Sequence, residues 1–241
     1  MPTQRHFANS DHAELVDVAK GLVIGTEVRN IFGYQVSGDT TLRACWEFAN
    51  TSYVYPADQI VMTVVSADAA DNGKVLLIKG LDRNYNQIQE TVVINGGGNI
   101  PTTKEYFRIN DLVLLTGVTN AGLISVQDAG LSINYAGIRP GDTRNQASIF
   151  TVPKDYDFFL FRLDAFSSDT TAAKPAIFRN FSQTKAGQQF NTARTTFLGN
   201  MNIQRRLPFR YEECTDIQFQ LATRQGAHEL SVFGEGVLYR R

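Results

Sequence analysis

The spacing in this chain that comes nearest to ligand chemistry is Asp82-Arg-Asn84-Tyr-Asn86, followed by Glu90. Oxygen-bearing side chains at alternate positions are how a calcium loop gathers its ligands, with Gly at loop position 6 and a bidentate Glu at position 12. Here those two places hold Gln87 and Val93. Asn and Asp also bond their own backbone and tolerate left-handed geometry, so the cluster reads first as a turn. Asp68 and Asp71, in Ser66-Ala-Asp-Ala-Ala-Asp-Asn-Gly73, read the same way.

His6, His12 and His228 are too scattered for a zinc site. No Gly-x-Ser-x-Gly elbow is present, and a triad drawn from distant residues would be recognised by geometry alone. Cys45 and Cys214 lie far apart, without metal-ligand spacing, and are expected as reduced, buried thiols. Gly96-Gly-Gly98 lacks the Gly-Lys-[Ser/Thr] of a phosphate cradle and reads as a loop. The expectation is a protein with no catalytic, cofactor or metal residues. Arg205-Arg206 with Arg210, and the terminal Arg240-Arg241, are the basic groupings. They suit contact with an acidic protein surface or nucleic acid, or a solvated strand edge that resists edge-to-edge pairing.

The elements that hold these residues are organised around residues 73–96. An apolar run, Val75-Leu-Leu-Ile78, leads into the Asp82–Asn86 turn, and Ile88, Val92 and Ile94 then follow at multiples of two. That period puts alternate side chains on one face, which predicts a β-hairpin. Counting that hairpin, strands are expected near 59–66, 74–80, 87–95, 105–116, 122–127 and 130–136, with turn residues between most of them. A composition shift follows near residue 148. Of the 16 Phe, 12 lie in residues 149–241, which carry net charge +3 against −4 for residues 1–148. Strands are expected there near 147–152, 157–166, 174–181, 188–198, 203–209, 215–223 and 228–239. Phe159, Phe161 and Leu163 are assigned to one face of theirs, and Ile217, Phe219 and Leu221 to one face of another.

The predicted fold class is therefore all-β: two β-sandwich or jelly-roll-like domains, at 57–146 and 147–241, behind a less regular N-terminal arm at 1–56. A free linker is expected over 140–148. Within the arm, Asp11-His-Ala-Glu14 resembles a capping box, and Leu15, Val18 and Leu22 suit one face of a short helix. Val23, Ile24 and Val28 suit an extended segment equally well. Either way Leu15, Val18, Leu22, Val23 and Ile24 have few local partners and are candidate interface residues, with Arg205, Arg206 and Arg210. Trp46, Phe159, Phe161 and Phe219 are expected in cores.

Length and charge bound the function. At 241 residues the chain can bury one sizeable core or two modest ones. A net charge of −1 and a pI near 6.3 argue against a dedicated polyanion-binding module. No apolar run approaches the ~18 residues that would suggest a membrane span. Residues 1–10 lack an apolar core of the secretory type, so cytoplasmic synthesis is the expectation.

Val65-Ser-Ala-Asp-Ala-Ala-Asp-Asn-Gly73 and Ile78-Lys-Gly-Leu-Asp-Arg-Asn-Tyr-Asn-Gln-Ile-Gln-Glu-Thr-Val-Val-Ile-Asn-Gly96 resemble a family of structural proteins from tailed bacteriophages. Thr102-Thr103, Phe107-Arg-Ile109, Phe150-Thr-Val-Pro153, Glu213-Cys-Thr-Asp-Ile217 and Gly234-Glu-Gly-Val-Leu238 continue the resemblance, which covers roughly residues 60–239. These motifs are turns and strands. The resemblance implies a non-enzymatic virion protein: capsid decoration (cement), or alternatively a neck or tail accessory such as a fibre base or host-surface adhesin. It implies as partners the major capsid protein or other virion proteins, and a homo-oligomer, with a trimer favoured because such decoration proteins often sit on local threefold axes. No membrane or specific nucleic acid is expected as a partner.

Overall fold

The computed structural model describes residues 16–37, 40–48, 51–115, 117–170 and 174–241. They form sixteen strands and almost no helix, so the chain is all-β as its periodicity predicts.

Eight strands build one sandwich. In chain order they are β1 (Thr26–Ser37), β10 (Ile149–Thr151), β11 (Tyr156–Ser167), β12 (Ala176–Gln183), β13 (Gln189–Phe197), β14 (Asn200–Tyr211), β15 (Asp216–Thr223) and β16 (His228–Arg240). The first pairs with the last, β1 with β16; then β10 with β15, β11 with β14 and β12 with β13, all antiparallel. Four nested pairs of this kind are a long hairpin rolled into two sheets, β1-β16-β11-β14 and β10-β15-β12-β13. That is a jelly roll. Phe150, Phe158, Leu160, Phe178, Ile217, Phe219 and Leu230 fill the space between the sheets. Gly234 belongs there because a Cβ at that position would run into the Phe219 ring.

This arrangement corrects the expected arm. Thr26–Ser37 pairs with β16 along its whole length, and the short β2 (Arg43–Ala44) pairs with β15. Ile31 and Cys45 sit in the jelly-roll core. β1 and β2 thus belong with the C-terminal half, and their ladder partners lie about two hundred residues away along the chain. Only a helical turn at 16–19 and the segment at 20–25 precede the sheet among the described residues. The capping box and Leu15 lie outside them.

Seven strands between β2 and β10 form a second unit, inserted between the first two jelly-roll strands. They are β3 (Ile60–Ser66), β4 (Val75–Leu81), β5 (Gln87–Val93), β6 (Asn99–Tyr106), β7 (Arg108–Leu114), β8 (Ile124–Gln127) and β9 (Asn134–Ile138), in sheets ordered β6-β3-β8-β9 and β5-β4-β7. Met62, Val64, Leu76, Ile78, Leu112 and Val126 share its core. The organising hairpin is present as β4–β5.

The segment 140–148 does not hang free between the units. Thr143 accepts a backbone bond from Leu114 at 2.8 Å, Asn145 donates one to Leu112 at 3.2 Å, and Ser148 donates one to Cys45 at 2.7 Å. Face assignments along β11 also differ from the alternation expected of Phe159 and Phe161. Phe158 and Leu160 point into the core, as do Leu163 and Ala165, whereas Phe159 and Phe161 are half-buried. The cause is a bulge between Leu160 and Arg162, which adds a residue and inverts the alternation beyond it. In β15 every residue is buried, because its outer face is covered as well. Trp46 and Phe219 are buried as expected.

Candidate functional site

The Asp82–Asn86 cluster is a turn. The Asp82 carboxylate accepts the backbone N–H groups of Asn84 and Asn86, at 2.8 and 2.9 Å, and the Asn86 side-chain amide at 2.9 Å. This bonding holds Tyr85 at φ +64°, a strained conformation for a bulky residue. Tyr85 is thereby pushed into a small cluster with Leu81 and Cys214, and its carbonyl accepts from the Lys154 N–H at 2.9 Å. So the hairpin turn plugs the inserted unit onto the jelly roll. Asp71 is likewise structural. Burial alone would raise its pKa, but Lys74, the Ser66 hydroxyl and the N–H groups of Ala121 and Gly122 hold the carboxyl down at about 2. Among the described residues no group of three or more His, Cys, Asp or Glu is placed to hold a metal. His228 rests against the Gln225 carbonyl and Asp169, while His6 and His12 lie outside the described residues. Cys45 and Cys214 are buried free thiols, and burial pushes both pKa values up.

Charged side chains that the sequence reading did not single out tie the two units together. Arg108, at the start of β7, makes a bidentate pair with Asp216 of β15, at 2.9 Å for both bonds, and Thr151 donates to the same carboxylate at 2.6 Å. The Arg108 guanidinium also lies over the rings of Tyr55 and Phe107. Asp111 is gripped by Arg144 through two bonds of 2.8 Å and approached by Arg29 of β1 at 3.6 Å. Arg139 donates to the carbonyls of Tyr34 and Trp46, at 2.6 and 2.7 Å. Beside it, Glu47 accepts the Gln146 N–H, while its other carboxylate oxygen is buried without a partner. Burial pushes this carboxyl up to about 7.

The outward face of the β1-β16-β11-β14 sheet is apolar in patches. Phe32 stands directly opposite Phe233, and Val28 opposite Val237. Phe166, 49% exposed, projects from β11 on the same face, and Val36 and Tyr239 are also exposed. Cross-strand rows of this kind are usually covered when they lie on the core side of a sheet. Here Val237 is buried and Phe233 half-buried, whereas Val28, Phe32, Val36, Phe166 and Tyr239 stay exposed among the described residues. A period of two at Val28, Asn30, Phe32, Tyr34 and Val36 was available in the sequence as a signal.

The predicted interface residues separate. Val18 is buried within its own chain and so is no free contact. Leu22 and Ile24 are open to solvent, at 66% and 98% exposure, and Val23 is half-buried. Arg205 and Arg206 are exposed on β14. Arg210 is already paired with Asp157 at 2.9 Å, and Arg241 pairs with Asp157 and Glu213 at 2.8 Å each. The structure thus brings Arg205 and Arg206 to one edge, and leaves the 22–24 segment beside the other end of that sheet, where the Gly25 carbonyl accepts from the Arg240 N–H.

No protein-family model matches the chain, and no curated protein matches it. Among solved structures, it is weakly similar to the structure of infectious bursal disease virus Gx strain, with 10% identity over 90% of this chain and 76% of the other and a TM-score of 0.21. A T13 particle of the same virus gives 10% identity over 90% and 73%, with a TM-score of 0.19. The D431N mutant VP2 protein of that virus, in T=1 particles, gives 9% identity over 90% and 74%, with a TM-score of 0.17.

Proposed function

We propose that this chain is a non-enzymatic structural protein of a tailed-bacteriophage virion, which decorates the capsid and reinforces its lattice through protein–protein contacts. The observation that carries this reading is the uncovered apolar face of the β1-β16-β11-β14 sheet, built from Val28, Phe32, Val36, Phe166 and Tyr239. An exposed apolar patch of this kind marks a protein contact. The resemblance of residues 60–239 to virion proteins supplies the setting, and the major capsid protein is the proposed partner. Burying that face across a junction between capsid subunits raises the free energy needed to separate them, because the protein then binds the assembled state in preference to the open one. The buried Arg108–Asp216 joint suits the role, since a brace transmits load only if its two units do not hinge. The working form is proposed as a homo-oligomer, a trimer by resemblance, whose closed symmetry prevents filament growth.

The test is co-sedimentation of purified protein with particles that lack it. Wild-type protein is expected to pellet with the particles and to raise their heat resistance. Phe32→Lys with Phe166→Lys, on a sheet face away from the core, is expected to fold and to stay in the supernatant. Wild-type protein that stays in the supernatant, or a doubly substituted protein that binds fully, would contradict the proposal.

A further inference from the structure

Between Asp169 and Glu212 the chain contains no acidic residue, although it carries Lys174, Arg179, Lys185, Arg194, Arg205, Arg206 and Arg210 in that stretch. The whole protein has net charge −1, so this is a local concentration of one sign. The fold gathers it on β12, β13 and β14, which are consecutive strands; β13 and β14 are each the outer strand of their sheet. Lys174 pairs with Asp169 and Arg210 with Asp157, but part of this charge finds no carboxylate within the described residues. Arg179 and Arg194 stand directly opposite each other across the β12–β13 pair. Like charges in that position repel and destabilise a sheet. Among the described residues, no carboxylate pairs with Arg179, Arg194, Arg205 or Arg206; the acids of this region are taken by Arg162, Arg210 and Arg241.

A further feature is geometric. On β14, Gln204 is registered with Arg162 and Phe209 with Leu160, so Arg205-Arg206-Leu207-Pro208 stand opposite Phe161 alone. The four residues bulge away from the ladder. Leu207, at 84% exposure, is carried between the two arginines and Pro208, and Phe190 of β13 and Leu198, just before β14, are also exposed. A sheet edge can be blunted by a bulge and charge alone. Blunting does not call for a Leu held out in water, nor for an arginine pair opposed across the neighbouring ladder.

We propose that the β12–β13–β14 edge docks a carboxylate-rich protein surface, with Leu207 as the apolar anchor and Arg194, Arg205 and Arg206 as the charged rim. Arginine beside an apolar anchor is the composition of a protein interface. A nucleic-acid groove would instead use extended positive charge throughout, which a chain of net charge −1 lacks. This deepens the decoration reading by naming a second contact and its chemistry, and it rests on that reading only for which virion protein supplies the carboxylates.

The experiment has two arms on the full chain. In the first, fluorescence anisotropy at low salt follows a labelled synthetic peptide of alternating Glu and Leu, beside a single-stranded oligonucleotide of equal charge. The wild type is expected to bind the peptide, to release it as salt rises, and to bind the oligonucleotide at least about tenfold more weakly. Arg205→Glu with Arg206→Glu, exposed residues outside the cores, is expected to lose at least about tenfold in peptide affinity with an unchanged melting temperature. Leu207→Ser is expected to weaken peptide binding without changing its salt dependence. Equal peptide binding by the Arg205→Glu/Arg206→Glu protein, no binding by the wild type, or tighter binding of the oligonucleotide would overturn the proposal. The second arm repeats the variants in particle co-sedimentation. Peptide binding by a wild-type protein that ignores particles would sink the decoration role and leave the docking edge standing.

Discussion

Substituting Arg108 by Met tests whether the inserted unit and the jelly roll form one body. The Arg108 and Asp216 side chains are 8% and 9% exposed, and two hydrogen bonds of 2.9 Å join them. With Arg108 gone, the Asp216 carboxylate keeps only the Thr151 hydroxyl among these partners and is left buried without a counter-charge. Breaking one side of a buried pair costs about 3–5 kcal/mol, most of it the price of the stranded charge. The carbonyls of Pro56 and Phe107 also lose their donor. Replacing both partners, Arg108→Met with Asp216→Leu, removes the charges together and is expected to cost less than Arg108→Met alone. The assay is urea unfolding near neutral pH, followed by far-UV circular dichroism and by the fluorescence of Trp46, the single tryptophan, which packs beside this joint with Tyr53 and Tyr55. Wild-type transitions are expected to coincide in the two signals, as for one cooperative unit. In Arg108→Met the two signals are expected to separate. A loss below about 1 kcal/mol, the range of surface changes, or a double variant as costly as the summed singles, would refute the argument.

Other outcomes follow from the cores and the joint. Phe219→Ala, at a fully buried ring between the two jelly-roll sheets, is expected to cost about 3–5 kcal/mol in chemical denaturation, and a loss under about 1 kcal/mol would mean the ring is not packed as described. Glu47 has its folded pKa raised by burial from 4.5 to about 7. The folded protein therefore holds a proton that the unfolded chain releases between those values, so stability falls as pH rises through the window, by about 3 kcal/mol in all. Glu47→Gln cannot ionise; it is expected to melt above the wild type at pH ~8, with the advantage shrinking toward pH ~5. Melting curves of the two proteins that run parallel across that range would reject a buried, titrating Glu47.

Much of this architecture was legible because strands announce themselves by a period of two. The hairpin at 73–96 and the strands from 147 onward fall close to their expected places. The expected strands missed β6, whose start at Asn99 directly after three glycines, and whose Pro101, look like loop; proline is tolerated there because β6 is an edge strand. The faces of Phe159 and Phe161 were missed because a bulge changes the period without any local signal. β1 looked like an arm because its ladder partner among the described residues is the distant β16, and pairing between distant segments leaves no mark in either one. The joint was illegible for the same reason: Arg108 and Asp216 are each unremarkable in sequence and meet only through the fold. The candidate interface was legible in part, at Arg205 and Arg206, while Val18 and Arg210 are occupied within the chain. The apolar face of the jelly roll needed the register of three strands to appear.

The most direct test of the decoration role is the copy number of this protein in purified virions, measured by quantitative mass spectrometry against the major capsid protein. The account predicts a fixed ratio that matches the capsid lattice, with the copies lost together when the apolar face is charged by Phe32→Lys and Phe166→Lys. A copy number confined to one vertex would contradict lattice decoration and assign the chain to the neck or tail, and complete absence from virions would contradict the virion role altogether.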